Sequence, residues 1–431
     1  MCAYRSQSAF PVDTEITFSE LAQGIHEPVI VDLMAKALSN PDLLSLAAGF
    51  TDNTVLPHEM VAGIAATVAD PSRVDAPLQY GSNQGRLRLR ELTCDWMATH
   101  PGERREVFRP EEIFVSNGSQ QALYLAAQTL CNRGDIVLVE SPSYFVCLEM
   151  LKGLGLRPVG IPCAEDGAVL SEAFAELLED LDRRGERERV KAIYLVSYFS
   201  NPSSRSMTLE EKRSIAATLE ASGYQIPVIE DAAYRELYFE AAHDTPSILS
   251  LPEFDGFPKL YLGTYTKPFA TGLKVGYGIC THAAWLGKML GIKGHQDFGT
   301  AHFNQAILEE ALESGQYAEH LQRIRPHYGE KAACLQAALE SSGLAELGWK
   351  WTVPQGGLIF WLRAPEGIDL QMNGAFCQAC IENGVLYVPG DLCFADGLPV
   401  NCARLSTGAL SLDRLKVAVG RFAAVAKQFA E

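Results

Sequence analysis

Lys267 lies in TYTKPFATGLKVGYG, residues 264–278, after two hydroxyl residues, Thr264 and Thr266, and before a Gly-containing turn and a second cation, Lys274. A lysine on such a turn becomes a nucleophile when its amine is desolvated or placed beside another cation. The hydroxyls and the second ammonium suit a phosphate. Taken alone, the segment reads equally well as a surface turn with two solvated lysines. The segment VSNGSQQALYL, residues 115–125, ends a strand at Asn117-Gly118 and starts a helix at about Ser119. The free N–H groups and dipole of a first helical turn form an anion site. The segment has neither the lysine of a P-loop nor the glycine spacing of a dinucleotide fingerprint, and such joints are common in α/β proteins.

A third segment, VIEDAAYRELYF, puts Glu230 and Asp231 at the end of an apolar strand, with Tyr234 three residues on. A carboxylate there could hold a ring nitrogen protonated, as a pyridinium electron sink requires. Its ordinary alternative is a helix N-cap.

The elements around these segments alternate. EIFVSNG, DIVLVES, AIYLVSYFS, QIPVIED, KLYLGTY and GYGICT read as short apolar strands, and SQQALYLAAQTL reads as a helix. Strands separated by helices imply an open, mainly parallel sheet whose ligands bind at the carboxyl ends of its strands. From about residue 300 long helical stretches take over, followed by WKWTVPQGGLIFWLRA, GVLYVPG and ARLSTG, which read as a smaller α+β domain. The expected division is an N-terminal segment, 1–50, a large domain, 51–305, and a small domain, 306–431. EDLDRRGERERVKA reads as a solvated helix end and loop.

The 431 residues include 36 Lys and Arg against 53 Asp and Glu, a formal net charge of −17. A dispersed acidic surplus disfavours nucleic-acid and anionic-membrane binding. No apolar run approaches the roughly 20 residues that span a bilayer. The opening MCAYRSQSAFPVDTEITF shows no secretory pattern, so a cytoplasmic protein is expected. The eleven cysteines are scattered and read as buried thiols. The one CxxC, Cys377 and Cys380, lies in a helix-like segment ending at Asn383-Gly384, with no second Cys/His pair at ligand spacing, so no metal is expected.

SLAAGFTDNTVLP, YGSNQGRLRLRE, SNGSQQAL, ESPSY, SNP, EDAAY, GTYTKPFATGLKVGY, HLQRIRPHY, PQGGLIFW, YVPG and ARLS occur in that order. Each is weak by itself, but the ordered set is highly specific. It resembles, nearly end to end, the pyridoxal-phosphate enzymes of the aspartate-aminotransferase fold, class I/II, nearest the branch of 2-aminoadipate and kynurenine aminotransferases. The resemblance implies that Lys267 forms the Schiff base with pyridoxal 5′-phosphate and moves the proton between Cα and C4′. It implies that Asp231 holds the pyridine nitrogen protonated, that Tyr234 and Asn201 hydrogen-bond the ring's O3′, and that Tyr144 stacks on the ring. Ser119, Gln120, Thr264 and Thr266 would contact the phosphate, which Tyr80 would reach from a partner subunit of a homodimer. Arg404 would grip the substrate α-carboxylate, and Gly49 would lie over the site.

Three positions depart from the family pattern. Lys274 stands at the phosphate-binding arginine, Ser204 at the glycine after NPx, and Phe199-Ser200 where histidine-glutamine is frequent. Lysine keeps the charge but loses the bidentate fork. The resemblance implies an aminotransferase acting on an amino acid and a 2-oxo acid. The alternative is a lyase or synthase (elimination, replacement or cyclisation) using the same carbanion. A ligand-sensing regulator is disfavoured, because the sequence before SLAAGF leaves no room for a helix-turn-helix domain.

Overall fold

The computed structural model describes residues 16–25, 29, 40, 42–47 and 49–430. Most of the opening read for a targeting signal, and much of the segment assigned to 1–50, lie outside the described residues.

A short helix, α1 (Glu20–Gly24), precedes β1 (Leu44–Ser45), α2 (His58–Val68) and α3 (Leu87–Met97). The expected alternation then follows: β2 (Ile113–Asn117), α4 (Gly118–Leu130), β3 (Ile136–Val139), α5 (Phe145–Gly153), β4 (Arg157–Gly160), α6 (Ser171–Arg183), β5 (Val190–Val196), α7 (Leu209–Ala221) and β6 (Val228–Asp231). β7 (Lys259–Thr264), β8 (Val275–Cys280) and α8 (Ala283–Gln296) complete this part. The seven strands β2–β8 form one sheet in the order β2-β8-β7-β6-β5-β3-β4. β8 alone runs against the others, because residues 265–274 turn the chain straight back from β7 without the crossover helix that a parallel neighbour requires. That turn carries Lys267.

Side chains alternate between the two buried faces of this sheet. Along β5, Ala192, Tyr194 and Val196 join the core under α4, α5 and α8, whereas Ile193 and Leu195 join the core under α6 and α7. Such burial on both faces explains why these strands read as continuous apolar runs. At about 1.5–3 kcal/mol per fully buried large aliphatic side chain, it also fixes which way each polar strand-end residue points.

α9 (His302–Glu313) and α10 (Gln316–Glu340) lead to β9 (Lys350–Thr352), β10 (Ile359–Arg363), α11 (Ala375–Glu382), β11 (Val385–Leu386), β12 (Val388–Pro389), β13 (Cys402–Ser406) and α12 (Leu412–Gln428). The smaller sheet has the order β12-β13-β10-β9, and β1 pairs in parallel with β11. α10 is shared between two cores. Tyr317, Leu321, Ile324 and Tyr328 pack with the larger sheet's α2, α3 and α9, and Ala332, Leu335 and Leu339 pack with Phe360 and Phe422 of the smaller unit. Pro326, which removes one helical N–H, lies in this helix near the changeover. Cys377 and Cys380 on α11 are fully buried in the apolar core of the smaller unit. No helix among the described residues is long and apolar enough to cross a membrane.

Candidate active site

The three segments singled out in the sequence meet at the carboxyl ends of β2, β6 and β7, where an open α/β sheet places its ligands. Lys267 lies just past β7, half-buried. Its Nζ donates to the Gly49 carbonyl at 2.5 Å and sits 5.8 Å from the centre of the Tyr234 ring. Gly49 thus covers the lysine from the N-terminal side.

The anion cradle is built by close packing. α4 begins at Gly118, with φ +65°, one residue before the expected start. A Cβ on Gly276 would come within 2.5 Å of the Gly118 carbonyl carbon and 2.6 Å of the Ser119 nitrogen, so only glycine lets β8 lie this close to the helix start. The Thr266 hydroxyl flanks the same turn, 3.6 Å from where a Gly118 Cβ would be. Thr264 and Thr266 both donate to the Val275 carbonyl at 3.3 Å, and the Thr264 oxygen accepts from the Thr266 N–H at 3.0 Å. Gln120 is exposed and reaches Met150 rather than the cradle.

Glu230 and Asp231 are neighbours in β6 and point to opposite faces. Glu230 faces α7, where Lys212 pairs with it at 2.6 Å, both side chains fully buried. Asp231 faces α4 and α5. Its Oδ2 accepts from the Tyr194 hydroxyl at 2.8 Å and its Oδ1 from the Ala233 N–H at 3.0 Å. Among the described residues no cation pairs with it. Burial therefore pushes its carboxyl above the usual aspartate range, and the two neutral donors offset this only in part. The residues after Asp231 form turns, so it caps no helix.

Arg404 enters from β13, 2% exposed. It donates to the Asn201 Oδ1 at 3.2 Å and to the Ala47 carbonyl, and its guanidinium carbon lies 5.4 Å from the Phe145 ring centre. Its Nε is buried without a partner among the described residues, and burial pushes its pKa below the ordinary arginine value. A buried guanidinium facing only carbonyl oxygens and an aromatic ring is poised for an anion. Tyr144 stands at the start of α5, where burial pushes its phenol well above the usual tyrosine range. Tyr234 is buried near Lys267.

The departures have local explanations. Ser204 sits at φ +65°, a left-handed position that favours glycine, and its hydroxyl is anchored on the Ile359 carbonyl at 2.7 Å. Phe199, at φ +43°, is buried so tightly that a Cβ on Gly356 would approach its ring to 2.7 Å, which accounts for the first glycine of PQGG. Lys274 is also left-handed, at φ +58°, and exposed at the end of the 265–274 turn. No described group engages its ammonium. Tyr80 is not brought to the other residues within this chain. It is 80% exposed, with its ring edge-on to Phe298 at 5.8 Å.

Two features of the site escape sequence reading. One is Tyr194, which looks like an ordinary strand aromatic. The other is a clamp on the segment after Gly49. Asp52 accepts from Lys331 at 2.6 Å and pairs with His327 at 3.0 Å, both on α10, and Lys331 also donates to the Gly408 carbonyl at 2.6 Å. Burial opposes ionisation of Asp52, but Lys331, Thr54 and His327 together hold its carboxyl far below the usual range.

A family model described as aminotransferase class I and II matches residues 42–422. The chain is 33% identical over 411 residues to a 2-aminoadipate transaminase of Thermus thermophilus, covering 95% of this chain and 96% of that protein. It is 30% identical to an aromatic-amino-acid aminotransferase of Thermococcus litoralis, covering 97% and 95%. Among solved structures, an α-aminoadipate aminotransferase of Thermus thermophilus complexed with N-(5′-phosphopyridoxyl)-L-leucine matches with a TM-score of 0.81 and 30% identity, covering 95% of this chain and 97% of that one.

Proposed function

The chain belongs to the aminotransferase class I and II family, and from that premise we propose how its own residues serve the reaction. It is a pyridoxal-phosphate-dependent aminotransferase that moves an amino group between an amino acid and a 2-oxo acid. The relatives' names favour this outcome over the lyase or synthase alternative. The residues present fit the cofactor. Among the described residues Asp231 is a buried carboxylate with no cationic partner, the start of α4 offers free N–H groups beside two hydroxyls, and Lys267 is a strand-end amine hydrogen-bonded only to a carbonyl. When bound, the cofactor supplies the electron sink for the substrate carbanion.

In our reading Asp231 holds a proton on the ring nitrogen, and this uncompensated carboxylate is the observation that carries the proposal. Lys267 takes and returns the proton at the substrate Cα, helped by its proximity to the site. Tyr144 covers the ring, and Asn201 and Tyr234 orient it. Ser119, Thr264, Thr266 and the backbone N–H of Gln120 in the first turn of α4 hold the phosphate, and Gly49 closes the site from above. A single turnover with an amino acid and no 2-oxo acid tests the outcome. Transfer leaves the nitrogen on the cofactor and releases a 2-oxo acid, whereas the lyase or synthase alternative returns the cofactor unchanged.

Arg404 is assigned to the substrate α-carboxylate, common to every amino acid. Arg404→Lys replaces a planar fork with a point charge and is expected to weaken binding by about 1–3 kcal/mol, raising KM for all amino acid substrates alike. KM values for small, aromatic and acidic substrates check this. A side-chain-selective effect would mean that Arg404 reads the distal end.

Lys274 is assigned to the cofactor phosphate as a single point charge, which its freedom from partners among the described residues supports. Lys274→Ala is expected to weaken cofactor binding roughly thirtyfold, less at high salt, as for one charge-assisted contact. Lys274→Arg should bind at least as tightly as the parent. Equal cofactor affinities for all three proteins would remove Lys274 from the site.

A homodimer completes the reading. Val74, Leu78, Tyr80, Leu87 and Phe298 are exposed on the single chain, an apolar group suited to contact with a second copy. Tyr80 would then reach the partner's phosphate. A cytoplasmic location is included, supported by the scattered, odd-numbered cysteines.

A further inference from the structure

We propose that Tyr194 is a positioning residue that keeps Asp231 ionised, and so keeps the proton on the cofactor's ring nitrogen, by donating its phenolic hydrogen bond to the Asp231 carboxylate. The inference rests on the reading of Asp231 as the ring partner.

In the parallel pairing of β5 with β6, Val196 lies opposite Asp231 and Tyr194 opposite Ile229. Tyr194 therefore shares a face with Asp231 but starts two residues further from the strand ends. Its ring belongs to the same buried cluster as Val139, Cys147, Val196 and Ile229. Only its oxygen reaches the polar end, 2.8 Å from Asp231 Oδ2. Tyr194 is 1% exposed, and among the described residues Asp231 is its hydroxyl's one acceptor.

The two donors on Asp231 differ in kind. The Ala233 N–H comes from the chain two residues on and is present whatever the side chains are. Among the described residues Tyr194 supplies the single side-chain donor. A carboxylate buried without a cation retains its proton unless donors stabilise the ion, and a hydrogen bond to a charged group counts for more than one to a neutral group. Without the phenol, the shared proton moves from the ring nitrogen to Asp231, and a neutral acid no longer favours a pyridinium. The competing account is that Asp231 merely satisfies a buried hydroxyl. Tyr224 provides the control, because its hydroxyl donates to Asp182 at 2.7 Å far from the site.

The test loads the full-length protein with pyridoxal phosphate labelled with 15N in the ring and records the ring-nitrogen resonance, cofactor affinity and turnover at one pH. Tyr194→Phe, which keeps the ring volume, should move the resonance toward the unprotonated position. It should also weaken cofactor binding and lower kcat on the order of tenfold, the effect of one hydrogen bond to a charged group. Tyr224→Phe should move the melting temperature alone. In an Asp231→Ala background, Tyr194→Phe should change the resonance no further. Should Tyr194→Phe fail to fold, trifluorotyrosine at position 194 keeps the hydroxyl and makes it a stronger donor, and at a pH where the parent's ring nitrogen is partly deprotonated it should move the resonance toward the protonated position.

A ring-nitrogen resonance unmoved in either Tyr194 variant overturns the proposal and leaves Tyr194 a core tyrosine. Asp231→Ala is measured alongside. If it leaves the resonance unmoved, the ring-partner reading itself fails. If it moves the resonance and the Tyr194 variants do not, this inference alone fails.

Discussion

Lys267→Ala is expected to abolish turnover and the visible band of the bound cofactor, while the protein stays folded. The other buried lysines are committed elsewhere. Lys212 pairs with Glu230 at 2.6 Å, Lys259 with Asp255 at 3.0 Å, Lys293 with Asp297 at 3.0 Å and Lys331 with Asp52 at 2.6 Å. Freeing any of these amines would leave a carboxylate unpaired, at a cost of about 3–5 kcal/mol where the pair is fully buried. Among the described residues Lys267 meets only the Gly49 carbonyl and the Tyr234 ring, so its amine is available for covalent chemistry. Losing that one hydrogen bond costs about 1 kcal/mol, too little to unfold the chain. Borohydride reduction of the loaded parent followed by peptide mapping checks the assignment, and the adduct should lie on Lys267. An adduct on another lysine, or a visible band that survives Lys267→Ala, would overturn it.

The strand-end positions of Lys267, Asp231 and the Ser119 helix start were legible because they depend on local pattern. Short β-branched runs, an intervening helical period and a glycine at the joint mark them without reference to distant residues. The two faces of the larger sheet were less legible, since strands buried on both sides show no alternation. Period 2 separates Glu230 from Asp231, but which acid faces Lys212 and which faces the site depends on helix placement. Tyr194 was invisible for the same reason. AIYLV gives no sign that its tyrosine meets Asp231 until the register of β5 and β6 is known. The clamp of Asp52 on α10 joins residues far apart in sequence, beyond any spacing rule. Ser204 and Phe199 read as losses of a family pattern. The structure shows a serine anchored in a left-handed turn and an aromatic ring packed on Gly356.

Asp231→Ala is expected to leave a folded protein that binds cofactor more weakly and turns over at least roughly a hundredfold more slowly, because it removes preorganised charge from the position where it acts. Stability should change little. The substitution strands the Tyr194 hydroxyl and the Ala233 N–H, costing about 1–3 kcal/mol, but it also removes a buried carboxylate without a cation. The balance depends on pH, and its sign follows from the raised pKa. The cofactor-free native state holds the Asp231 proton more tightly than the unfolded chain does, so this group's contribution to stability is most favourable below its ordinary value of 3.8 and declines as pH rises toward its raised value. Cofactor-free Asp231→Ala should therefore gain stability relative to the parent as pH increases through that window. Loading with cofactor should reverse the comparison, since a protonated ring gives the parent's carboxylate the cation it lacks. Melting temperatures of both proteins, with and without cofactor, measured across the acidic to neutral range beside turnover rates, check the whole argument. Near-normal turnover would show that Asp231 does not hold the ring, and a parent and variant with the same pH dependence in the cofactor-free state would show that burial does not raise its carboxyl.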